Sequence, residues 1–205
     1  MQEPAKSLEK SHRGAGNALA ILSPSLELQH LWFRVAGQRR AQSLALVPAE
    51  LDVSTIAMVQ GLAQVAASMP ESRVLVVNAS LRDCLPARGP VPRPEIGLAD
   101  FAVTADDGPF RNLDVVDLSR LPADDAERAL LLAPQLTDHL ERLGKKYTTV
   151  FYAVDSPLHQ ARVLPLTRAA DAVVLAVSLG RTSFDAARQL VDLIGRERVL
   201  GAVTI

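Results

Sequence analysis

Residues 43–67 read SLALVPAELDVSTIAMVQGLAQVAA, and this stretch sets the frame for the rest of the chain. Leu44 to Val47 is a short continuous apolar run, the pattern of a strand covered on both faces. Ile56, Val59, Leu62, Ala63 and Ala66 then share one helical face and predict an amphipathic helix. Strand, loop and helix in that order bring loop N–H groups and a helix N-terminus to one point. That arrangement holds phosphate groups.

The frame is present, but the chemistry of a phosphate-binding P-loop is not. Such a loop needs glycines, because its backbone adopts φ > 0 and lies close to the phosphates. It also needs a Lys that reaches the β- and γ-phosphates, followed by Ser or Thr on Mg²⁺. Between Pro48 and Thr55 there is no Gly and no Lys. Ala49 and Leu51 stand about where the glycines belong, and Asp52 or Val53 about where the Lys does. Glu50 and Asp52 add carboxylates that would repel a triphosphate. Only Ser54 and Thr55 remain, and both also suit the N-cap of the helix. The loop reads as a connecting turn in which Leu51 and Val53 fill the anion's space. A remodelled ligand site is the alternative.

Composition narrows the choices. The chain has 205 residues, 48% of them hydrophobic, enough for one α/β domain with a sizeable core. A net charge of −1 leaves no electrostatic footprint for nucleic acid or for an anionic membrane. The single cysteine, Cys84, excludes an internal disulfide and is too few for a structural zinc site. No apolar run approaches the roughly 20 residues that span a bilayer, and no signal-peptide pattern opens the chain. The expected location is the cytoplasm, with any membrane contact made through a partner.

Residues 1–24 read as a flexible tail and residues 25–205 as a single domain. Ser25 is expected to cap a helix from Leu26 to Ala36 with an apolar stripe of Leu28, Leu31, Trp32 and Val35. On that stripe Trp32 points inward, which leaves Phe33 as the outward aromatic beside Arg34. Further strands are expected at Arg73–Val77, Asn112–Val116, Thr148–Val154, Asp171–Val177 and Val199–Ile205. Helices are expected over Leu98–Phe101, Asp124–Leu143 and Ser183–Ile194. The last should bury Phe184, Ala187, Leu190, Val191 and Ile194. Apolar strands alternating with amphipathic helices predict an α/β fold. It would be a doubly wound, mostly parallel sheet of six or seven strands with helices on both faces. In such a sheet ligands bind beyond the carboxyl ends of the strands, which here deliver Asn78, Ser80 and Asp155 as well as the first loop. The four histidines (His12, His30, His139 and His159) form no catalytic arrangement, and no metal site is expected.

Several segments, taken in order, resemble the bacterial tyrosine kinases (BY-kinases), P-loop regulators of capsule and exopolysaccharide synthesis related to the MinD and ParA ATPases. VLVVNASLRDCLP is similar to the family's second acidic motif, and IGLADF to the segment after it. NLDVVDL and ALLLAPQLTDHLERLGKKYTTVFYAVDSP are similar to the run into its Walker-B-like strand. ADAVVLAVSLGRTSFDAARQLVDLIGRERVLGAVTI is similar to its closing strand–helix–strand unit. The likeness covers roughly residues 27–205 and implies a P-loop NTPase-like domain.

The departures matter as much. Asn78 and Ser80 stand where the resemblance implies two aspartates serving Mg²⁺ and the transferred phosphoryl group. Asp155 comes about two residues later than the family's spacing from Tyr147, with Ala153 near the expected place. Either Asp155 has left its ligand geometry or a bulge restores it. The family's oligomer motif would fall at Glu27, His30 and Phe33, without its arginines. Its tyrosine cluster lies beyond the last strand, past Ile205, and the tyrosines of this sequence are Tyr147 and Tyr152.

The resemblance with these departures implies a non-catalytic, BY-kinase-like protein without a cofactor. Its partner would be a membrane polysaccharide co-polymerase or export protein, recruiting it to the inner face of the membrane. Homo- or hetero-oligomers with BY-kinase-like domains are also implied. Trp32, Phe33 and Arg34 are the candidate contacts. The alternative is a divergent kinase or ATPase that takes Mg-ATP with Ser54, Thr55 and Asp155.

Overall fold

The computed structural model describes residues 25–38, 42–51, 53–80, 112–120, 137–138, 141–142 and 145–205. The expected tail at 1–24, the helical piece Leu98–Phe101 and nearly all of Asp124–Leu143 lie outside them. So do Asp52, His12 and His139.

Among the described residues six strands form one parallel sheet: β1 (Ser43–Pro48), β2 (Val74–Ala79), β3 (Leu113–Asp117), β4 (Thr149–Val154), β5 (Ala172–Val177) and β6 (Val199–Thr204). Their spatial order is β3-β2-β4-β1-β5-β6. The four central strands are buried almost throughout, as their unbroken Val, Leu and Ala runs require. The edge strands β3 and β6 are only partly covered.

Among the described residues, four helices flank the sheet: α1 (Leu26–Gln38), α2 (Ile56–Ala67), α3 (Leu164–Ala169) and α4 (Phe184–Ile194). The alternation along β1 sorts its side chains between them. Leu44 and Leu46 join Val59, Leu62, Ala63 and Val35 under α1 and α2, while Ala45 and Val47 join Leu166, Leu190 and Ile194 under α3 and α4. Burying such a Leu or Val stabilises the fold by about 1.5–3 kcal/mol each. Ser25 Oγ accepts the N–H of Leu28 at 3.3 Å and caps α1 as its sequence predicts. Gly61 on α2 leaves room for Leu28, whose Cδ1 occupies the place of a β-carbon there. The two helices therefore pack closely.

Two expectations need correction, and one element was missed. Phe184 is not buried: it begins α4 pointing away from the sheet and is 81% exposed, while Leu190 and Ile194 face inward. Leu51 does not fill the loop, because it is 45% exposed. The short helix α3 was not foreseen. It holds only six residues, too few for a periodic pattern, although Pro165 at its start is a helix-initiating signal.

Candidate functional site at the carboxyl rim of the sheet

β1 and β4 lie side by side at the centre of the sheet, where the chain's direction of winding reverses, and the crevice at their carboxyl ends is the expected ligand position. Across the rim, in spatial order, β3 delivers Asp117 and Ser119, β2 delivers Asn78 and Ser80, β4 delivers Asp155 and Ser156, and β1 delivers Ala49. Asn78, Ser80, Ser119, Asp155 and Ser156 are all buried.

Buried polar groups need partners, and these find them largely in one another. Asn78 Nδ2 donates to Asp117 Oδ1 at 2.7 Å and to Ser119 Oγ at 3.4 Å. Ser119 donates to the same Asp117 oxygen through its N–H at 3.0 Å and its hydroxyl at 2.6 Å. Ser80 Oγ donates to Asp155 Oδ1 at 2.6 Å, a short charge-assisted bond, and its N–H donates to Asn78 Oδ1 at 3.1 Å. Ser156 Oγ donates to the Ala49 carbonyl at 3.4 Å. The two neutral residues of the second motif each serve a carboxylate of a neighbouring strand.

The register gives the place of Asp155 relative to Asn78 and Ser80. Asn78 pairs with Ala153 and Ala79 with Val154, with no bulge between β2 and β4. Asp155 thus sits one residue beyond the strand end, level with Ser80, and bonds to it. Asp117 and Ser119 belong to the cluster and were missed in the sequence. The available signal was an Asp closing an apolar strand at Val115–Asp117, the same ending as Val154–Asp155.

The first loop is only partly packed. Ala49 is fully buried and its N–H donates to the Ala176 carbonyl at 3.1 Å, while Pro48 ends β1. Glu50 and Val53 are partly buried and Ser54 is exposed. Among the described loop residues none has a positive φ. Thr55 occupies the N-cap position of α2, but its side chain makes no cap bond, and Ser54 Oγ instead accepts the Ile56 N–H at 3.4 Å. Thr55 Oγ1 is buried without a hydrogen-bond partner. Among the described residues no group of three or more His, Cys, Asp or Glu is placed to hold a metal ion. His30 and His159 are exposed.

The remaining candidates lie elsewhere. Trp32 faces Phe151 of β4 with ring centroids 5.5 Å apart, whereas Phe33 is 55% exposed and Arg34 is exposed beside it. Both tyrosines are buried. The Tyr147 hydroxyl donates to Asp114 Oδ2 at 2.6 Å; burial, with that bond, pushes its pKa up to about 12. Burial, with the charges of Glu141 and Asp171, does the same for Tyr152, also to about 12.

No protein-family model and no curated protein matches the sequence. Solved structures do match. The VpsO kinase domain is 15% identical, with 87% of this chain and 94% of that one covered and a TM-score of 0.62. The kinase domain of the Escherichia coli tyrosine kinase ETK is 16% identical, with 86% and 71% covered and a TM-score of 0.62. The chain has the fold of a bacterial tyrosine kinase domain. A ParA family ATPase from Chlorobium tepidum is also similar, at 15% identity, 80% and 73% coverage and a TM-score of 0.57. The tyrosine kinase fold and the ParA fold share the parallel P-loop NTPase-like sheet expected from the sequence. At these identities the likeness is one of fold, and the site must be judged on its own residues.

Proposed function

We propose that this chain is a non-catalytic protein of the tyrosine kinase fold that works by binding. Its partner would be a membrane polysaccharide co-polymerase or export protein at the cytoplasmic face of the membrane. The observation that carries the reading is the loop after β1, which offers a triphosphate Glu50 and neither a Gly nor a Lys. Asn78 and Ser80 support it, since both are engaged with Asp117 and Asp155. These residues do not fit Mg-ATP. The two tyrosines are buried, so neither offers a hydroxyl for phosphorylation in the folded chain. The polysaccharide context rests on the motif resemblance. Among the described residues no helix is long and apolar enough to cross a membrane. Phe33, exposed beside Arg34 while Trp32 anchors α1 to the sheet, is the contact we assign to that partner. Assembly with further BY-kinase-like domains is part of the same proposal.

Phe33→Ala should leave the fold intact and abolish association with the co-polymerase and polymer output, whereas Ser54→Ala should leave output unchanged. The opposite pattern would overturn the reading. One observation favours a second reading, a divergent ATPase or kinase. The buried, unpartnered Thr55 hydroxyl stands where a Mg²⁺ ligand would. Titration calorimetry with Mg-ATP separates the two. We expect no heat of binding, whereas a micromolar dissociation constant lost in Thr55→Val would establish the second.

A further inference from the structure

Helix α4 carries two apolar lines. Leu190 and Ile194 face the sheet, but Phe184, Ala187 and Val191 line an open groove of about 380 Å³ together with Arg188 and Arg196. Phe184 is 81% exposed. The helix start is firmly held, because Ser183 Oγ accepts the Ala186 N–H at 3.0 Å and Gly180, at φ 75°, shapes the turn before it. The backbone that presents Phe184 at the surface is thus held in place.

The charges around the groove select its occupant. Arg196 Nε donates to Asp192 Oδ1 at 3.4 Å, one helical turn away. Arg188 is exposed and, among the described residues, has no hydrogen bond or ion pair. An apolar floor between two guanidinium groups is complementary to an apolar side chain flanked by carboxylates. We propose that this groove docks a short acidic peptide segment of a partner protein, with one large apolar side chain seated on Phe184 and Val191 and an adjacent carboxylate on Arg188. A second copy meeting the same patch across a two-fold axis would set arginines against arginines. A flat anionic membrane would spread its phosphates over Asp185 and Asp192 as well, whereas a short peptide can confine its carboxylate to the groove, whose lining carries two arginines and no acidic residue. The surface is separate from the Phe33 face and independent of the role proposed for it.

The test is selection of a phage-displayed random dodecamer library on the immobilised full chain, followed by fluorescence anisotropy of the selected peptides. Enrichment of Asp and Glu around one aromatic or aliphatic residue is expected. Affinity should fall about tenfold or more in both Phe184→Ala and Arg188→Glu, should weaken with salt, and should not change in Phe33→Ala. Both substitutions are at exposed positions, and an unchanged melting curve confirms intact folding. No enrichment, selected peptides without acidic residues, or binding insensitive to both variants overturns the proposal. So does binding to vesicles of phosphatidylglycerol that both variants abolish when no peptide is selected, or self-association in sedimentation that Phe184→Ala removes.

Discussion

The two rims of the sheet solve the same problem in different ways. At the amino rim, polar side chains mostly bond to backbone. Asp171 Oδ2 accepts the N–H groups of Gln42 and Ser43 and the Ser43 hydroxyl, each at 2.9 Å, and Ser43 Oγ accepts the Asp171 N–H in return. Thr148 Oγ1 bonds both to the N–H and to the carbonyl of Arg73, and Arg198 donates to the carbonyls of Arg168 and Ala170. At the carboxyl rim, Asn78, Ser80, Asp117, Ser119 and Asp155 mostly bond to one another. Backbone partners fix strand ends in place. A side-chain network fixes mainly its own members, so it can change composition without changing the fold. That difference explains how a chain can hold the kinase sheet with Asn78 and Ser80 in the second motif.

The sharpest way to break the comparison is to restore a carboxylate at the carboxyl rim. Asn78→Asp replaces a donor with an acceptor against Asp117 and buries a second charge, so it should cost about 3 kcal/mol in urea unfolding at neutral pH. Part of that loss should return as the pH is lowered, because a proton shared between the two like charges relieves their repulsion. No loss at all would mean that the network is open to water and contributes nothing to the rim.

Asp171→Ala at the amino rim should cost less, about 2 kcal/mol, because the groups it releases are exposed and water can replace it. Protection of the Gln42 and Ser43 amides in hydrogen exchange should fall with it, while the carboxyl-rim amides of Ser80 and Ser119 keep theirs. Equal loss at both ends would show that the rims are not independent.

The smallest effect belongs to Tyr147. Its pKa in the fold is raised from the ordinary 10.0 to about 12, so the folded chain holds the proton longer than the unfolded one. Stability from this source is complete below about pH 10 and is lost as the pH rises through about 12. Tyr152 titrates in the same direction. Tyr147→Phe should lower stability at neutral pH by about 1 kcal/mol through loss of the Asp114 bond and make the alkaline decline shallower. An unchanged alkaline curve would assign the decline to Tyr152 alone.

Much of the fold was legible because it depends on local pattern. The central strands announce themselves as unbroken apolar runs, and the stripe Leu28–Leu31–Trp32–Val35 places Trp32 against the sheet and Phe33 outside. The errors share a cause, since period and apolarity do not say how far a sheet extends over a helix. Phe184 lies on an apolar line of α4 but is 81% exposed, and Leu51 is exposed in a loop whose neighbours Ala49 and Thr55 are buried. The site was partly legible. Asn78, Ser80 and Asp155 were identified at strand ends, but Asp117 and Ser119 come beside them only through the β3-β2-β4 order, which no local pattern encodes.

Trp32 is the only tryptophan in the sequence, and it rests against Phe151 in the central strand β4. The chain therefore contains its own optical gauge. Indole emission shifts to longer wavelength when the ring meets water, so any event that lifts α1 from the sheet becomes visible without a dye. Because the fluorophore adjoins Phe33, a partner gripping that side chain would alter the same signal, and a stopped-flow trace could time the encounter in the unmodified protein.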